Sequence, residues 1–354
     1  LLCFGGIHLM SNLYGRSVRV TIRLAPNQKT ANTNQIQSLV FESSLAQDNL
    51  RITFDVNYPG VKGWYFSEIV IYNMDAATEK TIIDSGAIAI VEAGYGAMEK
   101  SNPNFGCVFQ GYVFQTLFER ENVTDFKLTI RCIDGDRLFT DKNFIIGAPL
   151  KRGMDLTTKM NQILSRCLRT IPMADNYTPP DTPITYRGEV FHKSPAEAFN
   201  ELYGWRGVDK ESNYRIFSYN SVVQIIDDDS QEAPDYAGMI TISPDNGLIG
   251  TPKQTQYGCD FTMLLNSNII LKRPHCVVKL DNISFSQMRA DVMNSPIPNF
   301  EILPDYKIMM FQVIGVRHVG DTIGNIWYTY VTGCNLAGAR PITETPPSQG
   351  VGNG

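Results

Sequence analysis

Residues 247–281 read GLIGTPKQTQYGCDFTMLLNSNIILKRPHCVVKLD. Gly247 and Gly250 admit backbone conformations closed to residues that carry a β-carbon. Thr251 precedes Pro252, which biases it towards extended structure. The alternation from Thr255 to Leu265 predicts a strand, and Gly258 inside it marks a bulge or a close backbone approach. On this reading, the run from Gly247 to Pro252 is a loop leading into that strand. Leu271-Lys272-Arg273-Pro274 then interrupts the pattern, and Cys276 to Leu280 resumes it.

Further along the chain, Tyr306 to Arg317 and Ile326 to Cys334 read as strands with apolar residues on both faces. Met309, Phe311 and Val313 oppose Ile308, Met310 and Ile314, and Trp327, Thr329 and Val331 oppose Tyr328 and Tyr330. A strand apolar on both sides is uncommon in an isolated small barrel, so an outer face packed on another chain is one explanation. The Pro-, Gly-, Thr- and Ser-rich run from Pro341 predicts a flexible tail over 341–354.

Towards the N-terminus the period shifts. Ser194, Pro195 and Glu197 carry the signature of a helix start, with Ser194 at the N-cap and Glu197 completing a capping box. Ala198, Phe199 and Leu202 give its apolar face, and Gly204 a C-cap. An earlier helical spacing runs from Leu156 through Met160, Ile163, Leu164, Cys167 and Leu168 to Ile171, ended by Pro172. The proline-rich run Asn176–Pro183 reads as a stiff linker. With strands expected at Ile184–Phe191, Tyr214–Phe217 and Val222–Ile226, an α+β unit results.

Before it, strict alternation marks Ser17–Leu24 and Leu50–Tyr58, and shorter runs mark Ile69–Tyr72, Ala87–Glu92, Cys107–Gln115 and Phe126–Cys132. Short strands punctuated by turns such as Pro59-Gly60 and Asp134-Gly135 predict an antiparallel sandwich or barrel. Leu1 to Leu9 is apolar but lacks the basic start and small-residue cleavage site of a signal peptide. It reads as an upstream extension or a hydrophobic arm.

The 354 residues suggest two or three domains. A hydrophobic fraction of 43% is enough for real cores. Lys and Arg number 31 against 36 Asp and Glu, a net charge of −5, which argues against a protein that wraps nucleic acid. Mean hydropathy is −0.15, and no apolar run approaches the roughly 20 residues of a spanning helix. The 7 cysteines are odd in number and without a Cys-x-x-Cys pair, as expected of buried free thiols in a reducing compartment.

Motifs for chemistry are sparse. The histidines His8, His192, His275 and His318 fall at no metal-ligand spacing. Asp134-Gly135-Asp136 lacks the later ligands of a calcium loop and reads as a turn; Asp227-Asp228-Asp229 reads as a solvated exit. Gly94-Tyr95-Gly96 lacks the Gly-Lys ending of a phosphate loop, and no Gly-x-Ser-x-Gly elbow occurs. Asn122-Val123-Thr124 matches a glycosylation sequon, a short pattern that chance supplies readily. These residues imply no catalytic group, no metal and no cofactor.

Taken in order, several fragments resemble baseplate hub proteins of tailed bacteriophages. They are Gly247-Leu248-Ile249-Gly250-Thr251-Pro252, Gln254-Thr255, Tyr257-Gly258, Leu264-Leu265-Asn266 and Ile269. Val91-Glu92-Ala93-Gly94-Tyr95, Val108–Val113, Phe126–Ile130 and Asp134-Gly135-Asp136 resemble the same family's first barrel. The resemblance spans about two thirds of the chain; the Leu271–Pro274 turn departs from it.

What the resemblance implies is mechanical. The fold is mainly β with an α+β insert: an N-terminal extension at 1–16, a first tube-like antiparallel β-barrel at 17–150, the insert at 151–243, and a second barrel at 244–340. Three such chains form a ring of six barrels, fitting a hexameric tail tube to a trimeric central spike and leaving a channel for DNA. Partners are then further copies of the chain, the tube protein, the spike protein, and tape-measure and baseplate wedge proteins, in a virion assembled in the host cytoplasm. DNA is met only in passage. Candidate interface residues are Gly247, Leu248, Ile249, Gly250, Thr251, Pro252, Tyr95, Tyr328 and Tyr330. The alternative is a tail-associated enzyme cleaving peptidoglycan or glycan.

Overall fold

The computed structural model describes residues 13–24, 38–44, 50–58, 66–74, 78, 82, 87–134, 145–150, 189–194, 197, 214–227, 239–255, 258–269, 277–281 and 310–335. Over these the chain is mainly antiparallel β-structure. The strands are β1 (Arg16–Arg23), β2 (Ser38–Ser44), β3 (Ile52–Tyr58), β4 (Phe66–Tyr72), β5 (Ile88–Tyr95), β6 (Phe105–Arg120), β7 (Phe126–Ile133), β8 (Ile146–Leu150) and β9 (Glu189–Lys193). There follow β10 (Tyr214–Tyr219), β11 (Val222–Asp227), β12 (Ile240–Ile242), β13 (Leu248–Gln254), β14 (Gly258–Leu264), β15 (Val277–Leu280), β16 (Met310–Asp321) and β17 (Trp327–Asn335).

One 13-stranded sheet has the order β13-β14-β17-β16-β3-β4-β7-β6-β5-β1-β2, with β15 also on β16 and β12 on β15. Its two halves meet where β16 pairs with β3. Each half is organised about a long hairpin, β6–β7 in the first and β16–β17 in the second. Superposing the hairpins gives the same succession twice: β3-β4-β7-β6-β5-β1 and β13-β14-β17-β16-β15-β12. Two differences remain. β12 runs parallel to β15 whereas β1 runs antiparallel to β5, and among the described residues β2 has no counterpart.

Alternation explains the core. Val18, Val20 and Ile22 on β1, Ile52, Phe54 and Val56 on β3, and Ile69 and Ile71 on β4 point to one side and are buried. Phe261 and Met263 on β14, Val316 on β16, and Trp327 and Val331 on β17 do the same in the second half. The intervening residues form a polar face bridged by cross-strand ion pairs: Arg19 with Glu42 and Glu92, Arg131 with Glu68, Lys127 with Glu119, Arg317 with Asp55.

Most strand expectations coincide with observed strands. β2, β8, β12 and β13 were not expected, and the run from Leu248 is a strand rather than a loop into one. Proline and two glycines suggested a loop, but Pro252 sits on a strand that among the described residues has one neighbour, where a missing N–H is tolerated. Gly258 does mark a close approach: a β-carbon there would lie 2.0 Å from the Gly333 carbonyl oxygen. Of the outward apolar set on the last strands, Met310, Ile314 and Tyr328 are half-buried and Tyr330 is exposed. Cys107, Cys132 and Cys259 are free thiols. Burial pushes the Cys107 and Cys259 thiols up to about 12.

Between the halves lie two small antiparallel pairs, β8–β9 and β10–β11. Asn220 and Ser221 turn the second pair with positive φ of 51° and 61°, as a two-residue hairpin turn requires. This tip docks into the first half. Tyr58 donates to Asn220 Oδ1 at 2.8 Å, and Ser218 Oγ and the Ser221 N–H donate to Asp134 Oδ1 at 2.6 and 3.0 Å. The predicted capping box is formed in both directions: Glu197 Oε2 accepts from the Ser194 N–H at 2.9 Å, and Ser194 Oγ from the Glu197 N–H at 3.4 Å. The expected helix body from Ala198 to Gly204, the helix from Leu156 to Ile171, the linker, the arm and the tail lie outside the described residues.

Candidate assembly interface

The junction of the two halves shows how this chain joins one unit to the next. β3 lies on the C-terminal part of β16, from Tyr58 opposite Val316 to Thr53 opposite Asp321. β15 occupies the N-terminal part of the same edge, Met310–Gln312. Past the end of β16, the Thr322 N–H donates to Ile52 O at 3.1 Å. Thr322 Oγ1 accepts from the Ile52 N–H at 3.0 Å and donates to Leu50 O at 3.2 Å. Arg51 adds an ion pair to Asp321 at 2.9 Å.

Packing at the junction is tight. The Phe54 ring meets Trp327 edge-on, centroids 5.6 Å apart. Trp327 is 1% exposed, and Arg16 lies over its ring while donating to Asp321 O and Gly324 O. Gly320 is required by contact: a β-carbon there would stand 2.4 Å from the Phe54 ring. His318, opposite Val56, is buried; its Nδ1 lies 2.9 Å from Thr329 Oγ1, which accepts from the Asn266 N–H at 3.0 Å. The Thr329 hydroxyl thus ties the ring to the backbone of the Asn266 turn. Burial without a counter-charge lowers the His318 pKa to about 3.

The outer edges contrast with this. Beyond Asn246 the chain turns through Gly247 at φ 115° into β13, whose one strand neighbour among the described residues is β14. Its register shifts between Ile249 and Lys253, with Gly250 at φ 69° and nothing within 4 Å of where its β-carbon would be. Leu248 and Pro252 are buried, while Ile249, Gly250 and Thr251 are exposed. The candidate run Gly247–Pro252 is therefore the rim of the sheet. β2 is the other rim, continuous over seven residues and free of Pro and Gly.

The tyrosine candidates separate. Tyr328 and Tyr330 stand together on the polar face, rings 6.5 Å apart, with Arg317 over Tyr330. Tyr95 is 4% exposed and belongs to this chain's own core. Burial raises its pKa, opposed by Arg16 and by the backbone of Leu265. The candidate set thus gathers into a rim segment and a polar-face pair, with Tyr95 apart from both.

Besides β8, β12 and β13, two features escaped the sequence reading. β2 carries a readable alternation, Leu39, Phe41 and Ser43 against Val40 and Glu42. β6 runs five residues past the expected end at Gln115, to Arg120. Phe114, Leu117 and Phe118 break its alternation there. A bulge between Val113 and Gln115 accounts for the change of phase.

No protein-family model and no curated protein sequence matches the chain. Solved structures similar to it include the E. coli c3393 protein, described as a component of the type VI secretion system with structural similarity to the T4 bacteriophage tail proteins gp27 and gp5. The identity is 9% over 81% of this chain and 74% of that one, with a TM-score of 0.49. A 43 kDa tail protein of prophage MuSo2 from Shewanella oneidensis is 8% identical over 90% of this chain and 96% of its own, TM-score 0.48. A tail protein from Neisseria meningitidis MC58 is 9% identical over the same shares, TM-score 0.47.

Proposed function

We propose that this chain is a structural tail hub of a bacteriophage: a subunit of a trimeric ring that joins a hexameric tail tube to a trimeric spike. The observation that carries the reading is the repeated strand order. One polypeptide holds two units of the same succession, fused edge to edge through β3 and β16. Three such chains give six quasi-equivalent units, so a threefold assembly offers a near-sixfold surface to a tube and a threefold one to a spike. Each unit is read as a tube-like barrel, and the insert, tied to the first by Asp134 and Tyr58, as a brace on the outside of the ring.

The ion-paired polar face supports a channel for DNA in passage. Arg131, Lys127 and Arg317 each face a carboxylate, and Arg19 faces two. Such a surface offers few uncommitted cations to phosphates, so release of counterions does little to hold DNA on it. Tube, spike, tape-measure and wedge proteins are the partners on this reading, and the role is non-enzymatic.

Native mass spectrometry tests it. A species of about 119 kDa, three chains of 39.6 kDa, is expected. A monomer at every concentration up to the micromolar range overturns the trimeric ring.

A further inference from the structure

We infer that β13 of one copy pairs with the open edge of β6, Val113–Arg120, of the next copy, repeating between chains the junction that β3 and β16 make within one. The inference rests on the ring reading above and specifies its interface.

On β16, one edge is shared: β15 takes its N-terminal part and β3 its C-terminal part. On β6, the counterpart of β16, β5 takes only Phe105–Tyr112. The last bond on that side runs from the Val113 N–H to Ala87 O at 2.8 Å. Among the described residues no strand pairs with the remainder of that edge. The half-empty edge is where a β3 equivalent would lie.

β13 is that equivalent. Met263 pairs with Leu248 and Thr329 as Ile71 pairs with Ile52 and Leu128, which sets Leu248 at the place of Ile52 and Ile249 at that of Thr53. Within one chain, β13 and β6 lie on opposite sides of the β3–β16 junction, so a second copy must supply the strand. A head-to-tail contact of this kind closes into a ring when the rotation permits.

The register follows from the hairpins. The Glu121 N–H bonds Asp125 O, closing β6–β7, as the Asp321 N–H bonds Ile326 O, closing β16–β17. Asp321 stands opposite Thr53, so Glu121 of one copy stands opposite Ile249 of the next. Both side chains are exposed in the single chain. The polar face of the join then brings Lys253 of β13 alongside Glu119 of β6, and covers the half-exposed Ile249. Pro252 lacks a donor, so this join holds fewer backbone bonds than the β3–β16 one.

The test is oxidative cross-linking of the full chain carrying Ile249→Cys with Glu121→Cys. Directly opposite residues of an antiparallel pair hold their β-carbons about 4.5–5.5 Å apart, a gap a disulfide closes with a small shift. The expected result is a reducible ladder ending at the trimer, absent from either single variant. A second pair, Ile249→Cys with Val40→Cys, tests closure through β2 instead. If the uncross-linked protein is trimeric by native mass spectrometry and only the Val40 pair cross-links, the β13–β6 join is wrong while the ring stands. A trimer that neither pair cross-links overturns the join equally. A protein that is only monomeric overturns both.

Discussion

The β16–β17 and β6–β7 hairpins hold the same place in two successions of strands, yet their surroundings differ. On the edge of β16, β15 takes one end and β3 the other, and the side chains there are locked: Trp327 under Phe54, His318 on Thr329, Gly320 against a ring. Among the described residues the edge of β6 is filled only to Val113, and near it Phe114 and Phe126 are partly exposed, Phe126 stacked on Phe118 and under Arg120. The same topology thus exists in a satisfied and an unsatisfied form within one chain. A strand edge with free backbone groups and exposed aromatics is a liability unless something covers it. The difference locates where a unit has already found its neighbour and where it has not.

The largest test of the comparison removes the anchor of the satisfied hairpin. Trp327→Ala empties the space between Phe54 and Arg16 and is expected to cost about 3–5 kcal/mol of stability, read as a lower urea midpoint. Phe126→Ala, at the corresponding place on the unsatisfied hairpin, is expected to cost under about 1 kcal/mol in the monomer, since that ring is already partly in water. Equal losses would mean that the two hairpins are equally packed and that the contrast is false.

The next effect is a dependence on pH that only the satisfied hairpin carries. His318 is neutral in the fold with a pKa near about 3, against an ordinary value of 6.5. The unfolded chain therefore binds the extra proton first as pH falls. Stability is full above pH 6.5 and declines from there down towards pH 3. Between pH 7 and pH 5 the loss is about 2 kcal/mol. His318→Asn retains a hydrogen-bonding group for Thr329 and is expected to flatten this slope in urea titrations at the two pH values. An unchanged slope would place the sensitivity elsewhere.

What the sequence made legible follows from the physics of each segment. β1 and β3 face core on one side only, so their alternation reads directly. β13 hides its core residues, Leu248 and Pro252, among glycines and a bulge that shifts the phase. The extension of β6 is unreadable for a related reason: the bulge between Val113 and Gln115 shifts its phase. Of the interface candidates, Gly247–Pro252 was visible through its turn chemistry. Tyr95 drew notice by lying between two glycines, but only the fold sends its ring inward. Asp134 read as a turn residue because its partners, Ser218 and Ser221, come from a distant hairpin.

The smallest expected effect concerns the polar face across the junction. Arg317 donates through Nε to Asp55 Oδ1 at 2.8 Å and through a second nitrogen to Oδ2 at 2.5 Å, bridging β16 and β3. The geometry is bidentate, but the two side chains are 50% and 43% exposed, so water competes for both. Arg317→Ala is expected to lower stability by no more than about 1 kcal/mol, and 0.5 M salt should remove much of the difference. The value of the measurement lies in the comparison. Leu117 occupies the place of Arg317 on β6, so the between-chain join has no such bridge and depends on Glu119 and Lys253 instead. Salt should therefore weaken association of copies through that separate pair while Arg317→Ala leaves association unchanged. An Arg317→Ala variant that lost its trimer while keeping its fold would show that the two junctions are coupled rather than repeated.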